Sequence, residues 1–514
     1  MRIPPVVRIA LPFIIGIAIV GQGDGALCGK TGMTILLATS GLSTLLLFIF
    51  HGRKSTRGYP FGIAVVVLSM ACGMLRMAIS HYQLRSATAS GGRVKAVVES
   101  IPEEKEKVWS MKIREEAEDD GYQLLYIRKD SLHDPSILLP GDTLIFKSMP
   151  PTYTYAALTQ EEDSFSYYRR YLYNQHIYCT RFVFPAQWHV GGRSPGLSYR
   201  LKRLQRLITS DYDSLGIPRA ERAVLQAMTV GAKALLRQTA TSSRSSLQEL
   251  YSSAGVSHVL ALSGFHVGMI YAILHFLFMS RIISRRWRWV TGSAVVVVLW
   301  LFALVAGLPP SLTRAVVMCT IMSIATMLHR QAFGFSTITT AALIMLAYNP
   351  FCLMDVGFQL SFASVTAISA CSPWLTNLNI RIQKTGWHGL IRYPLNYIAS
   401  AFLITIVCTI ATAGLVAHYF GAISLVGIFS NLIVSTLAIL LMGCSILWWL
   451  TKWFGLGGLF GSLLGTLALW MNNSVEYLGS LSFSHLSWQP GTTGLIVYYL
   501  IFLSLFAWVR KSQK

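Results

Sequence analysis

Two histidines, two serines and two glycines that matter most in this chain sit at the head of one apolar run. The run reads Ser257-His258-Val259-Leu260-Ala261-Leu262-Ser263-Gly264-Phe265-His266-Val267-Gly268 and continues through Phe278. Lipid does not tolerate unpaired polar groups, so polar residues kept inside such a run point to a pathway or a site. His258 and His266 are eight residues apart. On a continuous helix that is about 80° of rotation, and both would line one broad face. Ser263-Gly264 between them would break the helix or admit a second backbone. Such a wall offers hydrogen-bond donors to a phosphate or a base. A packed interface with the histidines bonded to neighbours is the plainer alternative.

Three further constellations follow. Gly307-Leu308-Pro309-Pro310-Ser311-Leu312-Thr313-Arg314 starts a helix with its prolines and puts Ser311 and Arg314 on one face. A guanidinium at membrane depth needs an anion, whether Asp355, a lipid headgroup or a phosphodiester. Snorkelling to the interface is the alternative. Asp355 and Gln359 are four residues apart; Asp355 can cap the following helix or orient Arg314. Phe358 and Phe362 fit packing better than base stacking. Asn431, inside another apolar run, is placed to bond across helices, and His418-Tyr419 to mark an outer interface. No GxxxxGK[ST], HExxH or zinc-type Cys/His spacing occurs, so no nucleotide hydrolysis, metal or cofactor is expected. Ser263 with either histidine falls short of a hydrolase, since no third orienting group is visible.

The elements that must hold these residues are membrane helices. Of 514 residues, 53% are hydrophobic and 13% charged, with net charge +21 and mean hydropathy +0.51. Residues 251–514 contain two acids, Asp355 and Glu476, whereas 81–250 carry 19 of the 22 acids and 23 of the 43 bases. The helical part thus suits a polyanion, or reflects positive-inside loops alone. Apolar runs cover 6–21, 32–50 and 60–80, then nine more from 257–280 to 491–509, about twelve spans in all. Arg53, Lys54 and Arg57, then Arg281, Arg285, Arg286, Arg330, Lys384, Lys452 and Lys511, fall on one, cytoplasmic, side. That places 81–250 outside the cytoplasm.

In 81–250, Trp109, Met111 and Ile113 alternate with Ser110, Lys112 and Arg114, a strand period. Tyr122–Ile127 follows a turn at Asp119-Asp120-Gly121, and Thr143–Phe146 a turn at Leu139–Asp142. Short strands between turns suggest a small OB-like barrel. From Pro195, Leu201, Leu204, Leu207 and Ile208 form the apolar face of a helix suited to a membrane surface. The expected organisation is 1–80 membrane helices, 81–195 barrel, 196–255 amphipathic helices and 256–514 membrane domain.

His258 to Gly268, Pro310-Ser311 with Arg314-Ala315, Asp355 to Phe362, His418–Gly421 with Asn431, and Gly141-Asp142 with Phe165–Leu172 together resemble the ComEC family of competence proteins. The resemblance implies an inner-membrane channel, not an enzyme, that passes single-stranded DNA into the bacterial cytoplasm during natural transformation. It implies as partners single-stranded DNA, membrane lipid, a separate nuclease, a periplasmic DNA receptor and a cytoplasmic motor or single-strand-binding protein. Many members add a metallo-β-lactamase-like domain; no HxHxDH motif occurs here, so a channel without its own nuclease is expected. On this reading Arg314 meets phosphate with Asp355 positioning it. His258, Ser263, His266, Ser311, Gln359 and Asn431 line the path, and Gly264 and Gly268 permit close helix approach. In the outer domain Arg169, Arg170, Arg181 and Arg193 are the candidate DNA contacts, rather than the acidic stretch Glu115 to Asp120. A transporter of another polyanion, an intramembrane hydrolase and a scaffold are the rival readings.

Overall fold

The computed structural model describes residues 5–22, 30–51, 59–86, 92–116, 121–130, 134–147, 149–154, 164–233, 235–236, 239, 246–279, 287–329, 334–383, 389–481 and 485–512. Arg53, Lys54, Arg57, Asp119, Asp120, Arg281, Arg285, Arg286, Arg330 and Lys384 lie outside them. The chain is mostly helical: α1 (Pro5–Gln22), α2 (Lys30–His51), α3 (Tyr59–Ser86), α4 (Ser164–Asn174), α5 (Leu197–Asp213), α6 (Arg219–Val230), α7 (Leu247–Ser253), α8 (Ser257–Leu260) and α9 (Gly264–Met279). There follow α10 (Arg288–Val305), α11 (Pro310–Met327), α12 (Phe335–Tyr348), α13 (Val356–Gln383), α14 (Gly389–Phe420), α15 (Gly427–Thr451), α16 (Gly457–Gly479) and α17 (Thr492–Ser512). Among the described residues, five are long and apolar enough to cross a membrane: 61–86, 288–305, 310–327, 395–420 and 427–454. Six shorter apolar helices accompany them. Leu11, Ile63, Val297 and Leu440 on such helices stay more than half exposed, as lipid-facing side chains do.

Two compact units divide the chain, 1–204 with 339–355, and 205–338 with 356–514. This differs from the sequence-based boundaries. Residues 205–255 group with the membrane helices, and 339–355 leave them.

The first unit holds one sheet of strands β1 (Arg93–Val98), β2 (Glu103–Glu104), β3 (Val108–Glu115), β4 (Tyr122–Arg128), β5 (Asp142–Lys147), β6 (Thr152–Tyr153), β7 (Ile177–Val183) and β8 (Trp188–Arg193). Their order is β6-β7-β4-β3-β1-β5-β8, with β2 on β3. The strands expected at 109–114, 122–127 and 143–146 are all present. β7 lies parallel to β4 and β8 antiparallel to β5, at opposite ends of this order. Only the short turn Pro185–Gln187 separates β7 from β8, so one chain segment draws the two ends of the sheet together and makes it curl. The enclosed core is Val94, Ala96, Val98, Met111, Ile113, Leu125, Ile127, Leu144, Phe146 and Val183.

The apolar face expected on α5 is not the buried one. Gln205 and Tyr212 are buried, while Leu204 and Leu207 are 40% and 64% exposed. Gln205 is held inward because its amide donates to the Val230 carbonyl (2.8 Å). In the same unit, residues 205–255 line the hairpin of α15 and α16 along its length. Asp211 meets Lys452 at 2.6 Å, Tyr212 stacks on Trp448, and Gly255 abuts Gly427 at the far end. A hairpin that crosses the membrane separates these two ends by its thickness. Asp211 and Lys452 lie together, whereas the sequence-based expectation puts 81–250 and Lys452 on opposite sides.

Candidate functional site

The run at 257–280 is not one helix. α8 stops at Leu260, Ala261 is extended (φ −87°, ψ 135°), and α9 starts at Gly264. The Ser263-Gly264 break is as expected, and the shared helical face of His258 and His266 is replaced by something else. His266, third residue of α9, turns back so that Nδ1 accepts the Ser263 amide proton (3.2 Å). It also lies 3.1 Å from Ser263 Oγ. This copies the logic of a capping box, with histidine in the place of glutamate. An amide N–H can only donate, so Nδ1 carries the lone pair and the neutral ring holds its proton on Nε2. Nε2 is buried with no hydrogen-bond partner among the described residues, and the residue is 0% exposed. The Ser263 hydroxyl and His266 Nδ1 thus lie side by side, with the imidazole engaged as a cap.

His258 lies close enough to His266 to act on it electrostatically. It is exposed and lies beside the Asn431 side chain, near enough for the two to interact. Asn431 in turn donates Nδ2 to Thr405 Oγ1 (2.9 Å). On the other side of the break, Ser311 Oγ donates to the Leu262 carbonyl (2.6 Å), satisfying a group that the interrupted helix leaves without a partner. Arg314, one turn on, is 4% exposed, and its Nη2 donates to the Gly357 carbonyl (2.8 Å). Gln359 accepts from the Tyr419 hydroxyl (3.2 Å), while His418 pairs with the Pro490 carbonyl (2.9 Å).

Thus His258, Ser263, Gly264, His266, Ser311, Arg314, Gln359 and Asn431 are gathered in the second unit by contacts between the first turns of α9, α11, α13 and α15. A Cβ on Gly264 would meet Ala315 Cβ at 3.5 Å, whereas one on Gly268 would meet nothing within 4 Å. Close approach therefore applies to Gly264 and not to Gly268. Asp355 belongs to the first unit and directly precedes α13, its amide bonded to the Cys352 carbonyl (3.1 Å). Phe358 is buried with its ring 4.3 Å from that of Phe362, a packing pair. Sequence reasoning missed Thr405 and Gly255. Thr405 gave no signal. Gly255 has φ +74°, and a Cβ there would lie 2.6 Å from Ser424 Oγ and 2.9 Å from Gly427 Cα, so only glycine fits.

In the first unit, Arg181 is not a surface residue. It is 1% exposed, with Nε donating to Gln123 Oε1 (2.6 Å) and Nη2 3.4 Å from Glu115 Oε2. Strand alternation could have shown this, since Cys179, Arg181 and Val183 share one face of β7. Arg193 pairs with Asp142 (2.9 Å) and stays 58% exposed; Arg170 is exposed and Arg169 half-buried. Beside these two arginines stands an aromatic surface that sequence reasoning missed. Tyr168, Tyr171, Phe182 and Phe184 are 40–55% exposed. Phe182 stacks on Tyr126 at 4.9 Å, Tyr168 on Tyr171 at 6.4 Å, and Lys105 Nζ sits 5.1 Å from the Tyr126 ring centre. The Phe165–Leu172 stretch held the signal: four aromatics around two arginines.

The first turn of α5 is tied to the same unit. Tyr199 OH donates to Glu99 Oε1 (2.8 Å) and Lys202 bonds Glu99 Oε2 (2.9 Å). Burial, then the Glu99 contact, push the Tyr199 hydroxyl up to about 12, so it remains a donor at any working pH.

One curated relative, ComE operon protein 3 of Bacillus subtilis (strain 168), is 25% identical over 354 residues. The match covers 66% of this chain and 42% of that protein, so this chain spans less than half of its relative. No solved structure matches. The profile of the competence protein family matches residues 238–512, which hold the linked polar contacts around the α8–α9 break, and the chain belongs to that family.

Proposed function

We propose that the chain conducts single-stranded DNA across the bacterial inner membrane during competence. The carrying observation is a connected polar seam, Thr405–Asn431–His258 and His266–Ser263 beside Ser311 and Arg314, inside a region of 251–514 that has only two acids. Polar groups in apolar helices mark routes, and a basic, acid-poor route suits phosphodiesters. Twelve crossings, the eleven apolar helices with α16, fit this reading. The curled sheet is read as an OB-like domain outside the membrane that receives the strand first. Exposed aromatics beside arginines are what sequence-tolerant strand binding uses. A separate nuclease, a DNA receptor and a cytoplasmic motor or single-strand-binding protein would act with it.

The test follows labelled DNA in a transformable host lacking this gene, with and without the gene restored. DNA should reach the periplasm in both and the cytoplasm only with the gene. Equal cytoplasmic entry in both would sink the reading and favour transport of another polyanion. With the purified full chain, Tyr168→Ala/Tyr171→Ala should weaken salt-sensitive oligonucleotide binding by about 10-fold or more, since a stacked base contributes roughly 1–3 kcal/mol. Unchanged binding would remove the aromatic surface from the route.

A further inference from the structure

Glu221 lies in the first turn of α6 and is only 7% exposed. Its Oε2 is buried with no hydrogen-bond partner among the described residues. The donors around it are committed elsewhere. Tyr251, near enough to feel its charge, donates its hydroxyl to Asn472 Oδ1 (2.9 Å), and Arg222 turns to Asp213 (3.3 Å). The start of a helix favours an acid there but does not supply the missing donor. A buried acceptor left in that state is costly.

Glu221 also lines a cavity of about 410 Å³ between residues 215–218 and α16. Gly458, Gly461 and Gly465 of α16 leave the room for it. A Cβ on Gly461 would lie 2.8 Å from Leu215 Cδ2, whereas one on Gly458 would meet nothing within 4 Å. The two hydroxyls in the wall, Ser462 and Thr466, donate to the Leu459 and Ser462 carbonyls (2.9 Å each). Their protons are spent and their lone pairs remain. The wall thus offers a carboxylate and two hydroxyl oxygens as acceptors, and no side-chain donor. One carboxylate is a poor cage for a divalent cation, which takes about six to eight oxygens. A primary ammonium, with three N–H donors, matches the wall.

The bilayer supplies such a group. α15 is long and apolar enough to cross a membrane, and α16 returns along it. Leu459, Leu463 and Leu469 of α16 stay 43–65% exposed, as side chains that face lipid tails do. Lys452 and the exposed Trp453, in the turn before α16, are residue types of the headgroup level. We infer that this cavity binds an aminophospholipid: the headgroup ammonium donates to Glu221, and the acyl chains lie along the exposed leucines of α16. None of its lining residues belongs to the polar seam at the α8–α9 break, and the site does not depend on what the membrane domain transports.

Native mass spectrometry of the delipidated full chain in detergent tests this. The chain is titrated with phosphatidylethanolamine and with phosphatidylcholine of the same acyl chains, which differ in whether the nitrogen carries N–H. The wild type should bind the ethanolamine lipid at least about tenfold more tightly. Glu221→Gln keeps the shape and loses the charge, and Gly458→Leu fills the open space. Each should cut the preference to about twofold or less. The ratio is taken within one variant, so a general loss of stability cancels from it. Equal binding of the two lipids by the wild type, or a preference that survives Glu221→Gln, overturns the site. Where Glu221→Gln yields no folded chain, Gly458→Leu decides by the same ratio. Free ethanolamine binding as tightly as the lipid would assign the acceptor to a soluble amine and overturn the lipid assignment.

Discussion

Arg314→Met is expected to lower cytoplasmic DNA import by about 100-fold, with the protein still present in the membrane at a level near wild type. The magnitude corresponds to losing charge-assisted hydrogen bonds of roughly 1.5–3 kcal/mol. Arg314 is 4% exposed and lies one turn into α11, where a charge is costly to hold. Its Nη2 donates to the main-chain carbonyl of Gly357, which fixes the direction of the guanidinium at the head of α11. Methionine keeps the length of the stem and its packing. Arg314→Lys keeps the charge and loses the planar fork, so it should fall between the two. Quantifying labelled DNA inside the cytoplasm, alongside membrane protein level, checks this. Import by Arg314→Met equal to wild type would reduce the residue to packing, and a missing protein would assign it to folding.

How much of this was readable beforehand depends on what kind of signal each residue gives. The break at Ser263-Gly264 was readable because polar residues and glycine interrupt an apolar run, and interruption is a local property. The strands around Met111 and Leu144 were readable from period and turns for the same reason. The pairing of His258 with Asn431, 173 residues on, was not, because no spacing rule relates residues on different helices. The role of residues 205–255 was misread for a related reason. Glu221, Gln226 and Asp213 make the segment look soluble. In the fold Gln226 bonds the Thr209 carbonyl and Asp213 (both 3.0 Å), so the polar groups satisfy each other and the apolar remainder, Val224, Leu225 and Met228, joins the core with Leu441 and Leu464. Composition counts polar residues but not their partners.

Arg181→Met should open the sheet domain of the first unit by about 3–5 kcal/mol, the usual cost of removing one member of a buried ion pair. The reasoning starts from Glu115. Its Oε2 accepts from Gln123 Nε2 (2.6 Å) and faces Arg181, while Gln123 also bonds the Tyr178 hydroxyl. Four side chains from β3, β4 and β7 thus satisfy one another inside the sheet, and deleting the cation leaves a carboxylate buried beside an amide. Cys179, 0% exposed and two residues before Arg181 on β7, reports the opening. Its alkylation in the full chain, followed by mass spectrometry of its peptide, should accelerate by about two to three orders of magnitude. Arg181→Met/Glu115→Gln should recover most of the protection, because the uncompensated charge goes with its partner. An unchanged rate in the single variant would mean that the arginine contributes nothing to closure. A double variant as open as the single one would mean that lost packing, not stranded charge, is the cause. Either way, an arginine locked in this network has no donors to offer a strand, so on the proposed function any contact of this domain with DNA would fall to Arg169, Arg170 and the exposed rings beside them.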